Sequence, residues 1–134
     1  MVVTYGIDID LVNPGQPQRI HMKQGDMLSR CIDIRLLENG KDWQIGRNTT
    51  AVIRYCAQDF DNLVTDHGLY DTLDDGSPAY MVAGNLISII PIGAMTENPG
   101  LVTVDVLLVD GAKKVSTFNF EIYVHRAPSG QNNT

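Results

Sequence analysis

The hydrophobic pattern is clearest in residues 101–126, where it predicts two long β-strands joined by a tight turn. In the second strand, apolar residues occupy every other position, at Phe118, Phe120, Ile122 and Val124. A period of two is typical of a strand with one face in a core and the other in water. The Asp-Gly pair at positions 110 and 111 is a strong hairpin signal. This region is therefore predicted to form a β-hairpin.

Shorter stretches with the same alternation recur along the chain, separated by Gly, Pro, Asn and Asp. They predict strands over residues 2–11, 18–23, 28–38, 49–57, 79–83 and 85–91, and one short strand near residues 68–73. Residues 92–98 are predicted to form a single helical turn. The expected fold is an all-β, immunoglobulin-like antiparallel β-sandwich of about seven to nine strands, closed by the C-terminal hairpin.

Length and composition fit one domain, since the chain has 134 residues of which 43% are apolar. We expect a β-sandwich domain over residues 1–127 and a flexible tail or the start of a linker over residues 128–134. No apolar run reaches the roughly eighteen residues of a membrane-spanning helix. The N-terminus also lacks the basic and apolar regions of a signal peptide, so we expect synthesis in the cytoplasm.

The net charge bears on possible partners, and the two cysteines bear on the redox state of the chain. The net charge of -6 argues against nucleic-acid binding, which requires a basic surface to neutralise phosphates. Cys31 and Cys56 are expected to be free thiols, because disulfides are rare in the cytoplasm.

Residues able to carry out chemistry are scattered. His21, His67 and His125 show no metal-ligand spacing, and the two that lie on strands are expected to face solvent. Aspartates cluster in residues 59–78, but the spacing of a calcium-binding EF-hand loop fails, and solvated loop carboxylates are the alternative. Neither a G-x-S-x-G turn nor a glycine-rich phosphate loop is present. We therefore expect no catalytic residues, no cofactor, no metal and no enzymatic activity.

Four aromatic residues are candidates for contact with a ligand or partner, namely Trp43, Tyr70, Tyr80 and Tyr123. Trp43 is flanked by polar residues, which favours partial exposure, and a packing role in the core is the alternative. Tyr123 lies on the outward face of its strand, and Leu107 and Val109 bring apolar side chains to the outward face of the preceding strand. These positions are candidates for a contact surface.

Six segments follow one another in a distinctive order of strands and turns, at residues 24–26, 29–40, 51–55, 87–91, 99–108 and 115–124. The last reads Val-Ser-Thr-Phe-Asn-Phe-Glu-Ile-Tyr-Val. In this order the chain resembles, over residues 5–126, the N-terminal domain of the phage baseplate upper protein family, found in phages of Gram-positive bacteria. It departs from the family pattern at residues 56–61, which lack a Pro-Asp-Gly turn, and at its end, where many members continue into a coiled stalk.

The resemblance implies a structural protein of the virion that docks to the tail hub, with a distal tail protein and a receptor-binding protein as partners. Assembly into a trimer or ring is expected as an alternative to docking onto a tail protein. Nucleic acid and membrane are not expected as partners. The alternative function is a carbohydrate-binding sandwich for host cell-wall polysaccharide, with Trp43, Tyr70 and Tyr80 as its stacking residues. A hydrolase that uses loop carboxylates is the third hypothesis.

Overall fold

The protein is built almost entirely of β-strands. The computed structural model describes residues 3–25, 30–111 and 113–126, with 62% strand and 3% helix. The strands are β1 (Val3–Asp10), β2 (Arg19–Lys23), β3 (Arg30–Glu38), β4 (Lys41–Asp42), β5 (Thr49–Gln58), β6 (Val64–Tyr70), β7 (Tyr80–Ala83), β8 (Leu86–Ile89), β9 (Gly100–Asp110) and β10 (Lys113–His125). A helical turn, α1 (Gly93–Thr96), falls inside the segment where one was predicted.

Two sheets pack against each other as a sandwich. The first sheet has the order β1-β3-β8-β7, with β4 paired to β3, and the second has the order β2-β10-β9-β5-β6. The C-terminal hairpin of β9 and β10 lies at the centre of the second sheet, with Phe118 opposite Val106. The predicted all-β sandwich closed by this hairpin is therefore confirmed.

Both sheets are mixed, since each contains one parallel pair beside the antiparallel pairing that was expected. β1 runs parallel to β3, and β2 runs parallel to β10. The chain leaves β1 in the first sheet, forms β2 in the second sheet and returns to the first as β3. Parallel strands need a crossover connection, and this excursion through the opposite sheet provides one.

The core lies between the sheets and is formed by the apolar phase of each strand. All four alternating apolar residues of β10 are buried, and Phe120 is 1% exposed. The facing residues of β9, Val102, Val104, Val106 and Leu108, are buried as well. A register slip of one residue would turn each set toward water, so the alternation constrains the register of β9 against β10 once the two strands are paired. Burying one such side chain stabilises the fold by about 1.5–3 kcal/mol.

Some boundaries differ from the predictions. β6 (Val64–Tyr70) begins earlier than the strand expected near residues 68–73, because it forms a hairpin with β5 in which Gly68 lies opposite Tyr55. β4 was not predicted, since it consists of two exposed residues after the Asn39-Gly40 turn. The predicted tail at residues 128–134 and the predicted strand start at residues 28–29 lie outside the described residues.

Asp10, at the end of β1, fixes the start of the crossover. Its carboxylate accepts hydrogen bonds from the backbone N–H groups of Val12 (2.9 Å), Asn13 (2.9 Å), Asn39 (3.1 Å) and Gly40 (2.8 Å). These bonds, with that from Asn13 the strongest influence, lower the pKa of Asp10 to about 2. One side chain thereby ties the crossover to the turn between β3 and β4.

Candidate functional site

Four aromatic rings meet on the outer face of the second sheet, and we call His21, Phe60, Tyr123 and His125 the ring patch. The Tyr123 ring is central, with centroid distances of 5.6 Å to His21, 5.4 Å to Phe60 and 4.6 Å to His125. The two histidine rings lie 5.1 Å apart. These separations fall within the range in which aromatic pairs attract each other, so the four rings form one cluster.

Strand register brings the ring patch together. In the parallel pair of β2 and β10, His21 lies opposite Tyr123, and His125 follows two residues later on the same face. Phe60 comes from the turn between β5 and β6. The patch therefore joins residues from both ends of the chain, His21 and His125 being 104 positions apart.

The two histidines also contact each other directly, with 2.8 Å between Nδ1 of His21 and Nε2 of His125. A hydrogen bond between two imidazoles requires one nitrogen that carries a hydrogen and one that carries a lone pair. When both rings are fully protonated, this bond is lost and two positive charges face each other.

Exposed apolar side chains extend the ring patch along the same end of the sheet. Phe60 is 51% exposed, Leu63 in the same turn is 64% exposed, and Val64 at the start of β6 is 54% exposed. On the other side, the Arg19 guanidinium lies 5.8 Å from the Tyr123 ring centroid and forms an ion pair of 3.0 Å with Glu121. An apolar patch with a polar rim is typical of an interaction site.

Of the four aromatic residues chosen from the sequence, Tyr123 alone belongs to the ring patch. Trp43, Tyr70 and Tyr80 are half-buried and pack against the core. The Tyr70 hydroxyl donates a hydrogen bond of 3.0 Å to the carbonyl oxygen of Ile90, and burial raises the pKa of Tyr70. No ring contact joins any two of these three residues in the described ranges, so they do not form a shared stacking surface.

Sequence reasoning missed three members of the patch, namely His21, Phe60 and His125. The expectation that His21 and His125 face solvent is confirmed, since both are exposed. Alternation identifies the outward face of each strand, but it does not identify the neighbouring strand. His21 and Tyr123 become neighbours through the parallel pairing of β2 with β10, which hydrophobic periodicity does not predict.

A groove of about 620 Å³ lies between the crossover and the second sheet. Residues 14–18 line one side, and the outward-facing Leu69 and Leu107 line the other. The ion pair of Arg54 with Asp105, at 2.9 Å, also borders the groove. Leu107, a contact candidate from the sequence, thus lies in a concave part of the outer face.

Two of the aspartates in residues 59–78, Asp59 and Asp66, have side chains that hold the local structure together. Asp59 accepts hydrogen bonds from the backbone N–H groups of Asp61 at 2.8 Å and Leu63 at 3.0 Å, which closes the turn between β5 and β6. Asp66 accepts a bond of 3.0 Å from the Tyr55 hydroxyl. Across residues 3–25, 30–111 and 113–126, no three His, Cys, Asp or Glu side chains are arranged to hold a metal ion.

Both cysteines are free thiols, as predicted, and they lie in different sheets. Burial, followed by the neighbouring Asp33, raises the pKa of the Cys31 thiol, which lowers its reactivity.

Within the described part of the chain, no helix has the length and apolar character needed to cross a membrane.

No model of a known protein family matches this sequence, and no curated protein matches it significantly.

Proposed function

We propose that this chain is a non-catalytic structural component of a phage tail baseplate that docks to the tail hub or carries receptor-binding proteins. The support is the sequence resemblance over residues 5–126. Its segments correspond to β3, β5, β8, β9 and β10, which together contribute strands to both sheets. Because one fold serves many functions, the sandwich is compatible with this role but does not by itself support it. The docking role is inferred from the exposed side chains of the ring patch.

The ring patch is the observation that carries the docking part of this proposal. Aromatic residues and Arg are enriched at protein interfaces, where buried rings with a polar rim supply most of the binding energy. Phe60, Tyr123 and Arg19 provide that combination on the outer face of a rigid sheet. A partner that covers the patch would bury Phe60, Leu63 and Val64, which are now exposed.

The test is the mass in solution, by size exclusion with light scattering, of the chain alone and co-expressed with the distal tail protein of the same phage. We expect a joint complex, or a self-assembled trimer or ring. The double variant Phe60→Ser/Tyr123→Ser should abolish the assembly. Met81→Ser is the matched control, since Met81 is 71% exposed on β7 of the other sheet. A monomer that ignores the tail protein would contradict the proposal.

A second candidate function is carbohydrate binding, and the observation that favours it is the exposed rings of the ring patch. A sugar that stacks on aromatic side chains would use Tyr123 and Phe60 in place of Trp43, Tyr70 and Tyr80, which pack on the core. A glycan array should then show binding that disappears in Tyr123→Ala and persists in Trp43→Phe. An array without signal would eliminate this candidate.

A further inference from the structure

A cavity of about 460 Å³ opens between residues of β1 and β2, the edge strands of the two sheets. Five bases line it, namely His21, Lys23, Arg30, His125 and Arg126, together with Tyr5. No carboxylate side chain within the described ranges lines it. The concentration of bases is unusual for this chain, which has 16 acidic residues and 10 Lys and Arg.

We propose that this cavity binds the phosphate group of a phosphate ester. Apart from Tyr5 and Met22, the residues that line it are hydrogen-bond donors of positive or switchable charge, which suits an oxyanion with several acceptor oxygens. Arginine adds a planar fork that matches phosphate geometry, and Arg126 presents it from the end of β10. The site lies outside the docking surface of the baseplate proposal except for the two histidines, and it does not depend on that proposal.

Because His21 and His125 contact each other, phosphate binding at this cavity is expected to depend on the protonation of the two imidazoles. In the structure the two rings share one hydrogen bond of 2.8 Å, so at least one nitrogen acts as an acceptor. A phosphate bound beside the pair would accept a hydrogen bond from a ring N–H, and its negative charge would offset the repulsion of two imidazolium charges. Phosphate should therefore bind together with proton uptake, and more tightly in acid solution.

The surroundings of the two imidazoles favour an anion. The charged or titratable groups that face them are Tyr5 from β1, Arg19 and Lys23 from β2, Arg30 from β3, Glu121 and Tyr123 from β10, and Arg126 beyond it. Glu121 is already paired with Arg19 at 3.0 Å. Lys23 and Arg30 make other polar interactions as well, so the test relies on His21, His125 and Arg126.

Size and neighbourhood favour an ester over the free ion. The cavity is larger than one tetrahedral oxyanion, and its two histidines also belong to the ring patch. Tyr123, with its ring centroid 4.6 Å from that of His125, therefore adjoins the site. With the phosphate among the bases, the organic part of the ligand can lie against the Tyr123 ring.

The test is calorimetric titration of the full chain with glycerol phosphate, inorganic phosphate and glycerol at constant ionic strength. We expect glycerol phosphate to bind more tightly than inorganic phosphate, and glycerol not to bind. Affinity should be higher at about pH 5.5 than at about pH 8. Affinity for inorganic phosphate equal to that for the ester would overturn the ester assignment. Absence of binding by either phosphate would overturn the site.

Variants assign the binding to this cavity. His21→Asn/His125→Asn should weaken glycerol phosphate binding about ten-fold or more and abolish the tighter binding in acid, leaving only the pH dependence of the ligand itself, whose second pKa is about 6. Arg126→Gln, a change at one exposed residue, should weaken it by a similar factor without affecting the fold. The matched controls are His67→Asn and Arg47→Gln, both exposed and absent from the cavity. If all four variants bind like the wild type, the cavity is not the site.

Discussion

Two aromatic clusters of this protein place tyrosine in opposite environments. Tyr55 and Tyr70 pack edge to face at 6.2 Å, and their hydroxyls donate hydrogen bonds to Asp66 and Ile90. In the ring patch, the Tyr123 hydroxyl has no hydrogen-bond partner among the described residues, and the neighbouring Phe60 is half exposed. The first cluster is satisfied within the chain, whereas the second leaves surface for a partner. Tyrosine therefore contributes stability in one place and is available for recognition in the other.

The largest expected change in stability comes from the cluster of Tyr55 and Tyr70. Tyr70→Ala should lower the free energy of unfolding by about 3–5 kcal/mol, because it removes a half-buried ring that packs on the core and leaves a cavity. Chemical denaturation followed by circular dichroism measures the change. A loss below about 1 kcal/mol would mean that the ring packs less tightly than the structure indicates.

The second-largest effect is expected at alkaline pH, where ionisation of Tyr55 and Tyr70 should destabilise the fold. Burial, with a smaller influence from Asp66, raises the pKa of Tyr55 from 10.0 to about 12, and burial also raises that of Tyr70. Because the folded-state pKa is the higher one, this contribution to stability is complete below about pH 10 and is lost as the pH rises through about 12. Phenolate absorbance should thus appear together with unfolding, and Tyr55→Phe/Tyr70→Phe should shift the alkaline transition upward.

Removing one hydroxyl sharpens the comparison further. Tyr70→Phe keeps the ring but leaves the Ile90 carbonyl without its 3.0 Å donor, so we expect a loss of about 1–2 kcal/mol. The same change at Tyr123 removes no hydrogen bond within the described structure and should be neutral within about 0.5 kcal/mol. Paired denaturation curves of the two variants provide the measurement, and equal losses would erase the distinction between the clusters.

The smallest effect on stability is expected where the effect on binding is greatest. Tyr123→Ala should change the free energy of unfolding by about 1 kcal/mol or less, because the side chain lies on the outer face of the sheet. Association with the tail protein should nevertheless be lost. A destabilisation as large as that of Tyr70→Ala would instead assign the ring patch a structural role.

Alternation predicted the strands well because it records burial. The phase of Phe118, Phe120 and Ile122 identified the core face of β10 before any pairing was known, and the structure buries all three. β4 was not predicted, because Lys41 and Asp42 are both exposed and leave no hydrophobic pattern. Its pairing with β3 depends on the Asn39-Gly40 turn. Turn geometry and edge pairing contribute little to a hydrophobic pattern.

The candidate site was only partly predictable, for a different physical reason. Tyr123 could be chosen from its outward phase, whereas Phe60 sits in a turn where no periodicity applies. His21 becomes a neighbour of Tyr123 only through parallel pairing across almost the whole chain. Parallel and antiparallel neighbours require the same alternation, so a single sequence does not distinguish them.

The pairing of β2 with β10 has a consequence for how the chain folds during synthesis. β2 is made well before its partner residues, 121–125, which lie close to the other end of the domain. Until then the inward-facing Ile20 and Met22 lack the sheet that buries them. Contacts of such long sequence separation slow folding, because the loop must close before it is stabilised. Completion of the sandwich is therefore expected only after residue 125 has left the ribosome, and nascent chains truncated before residue 121 should remain sensitive to proteases.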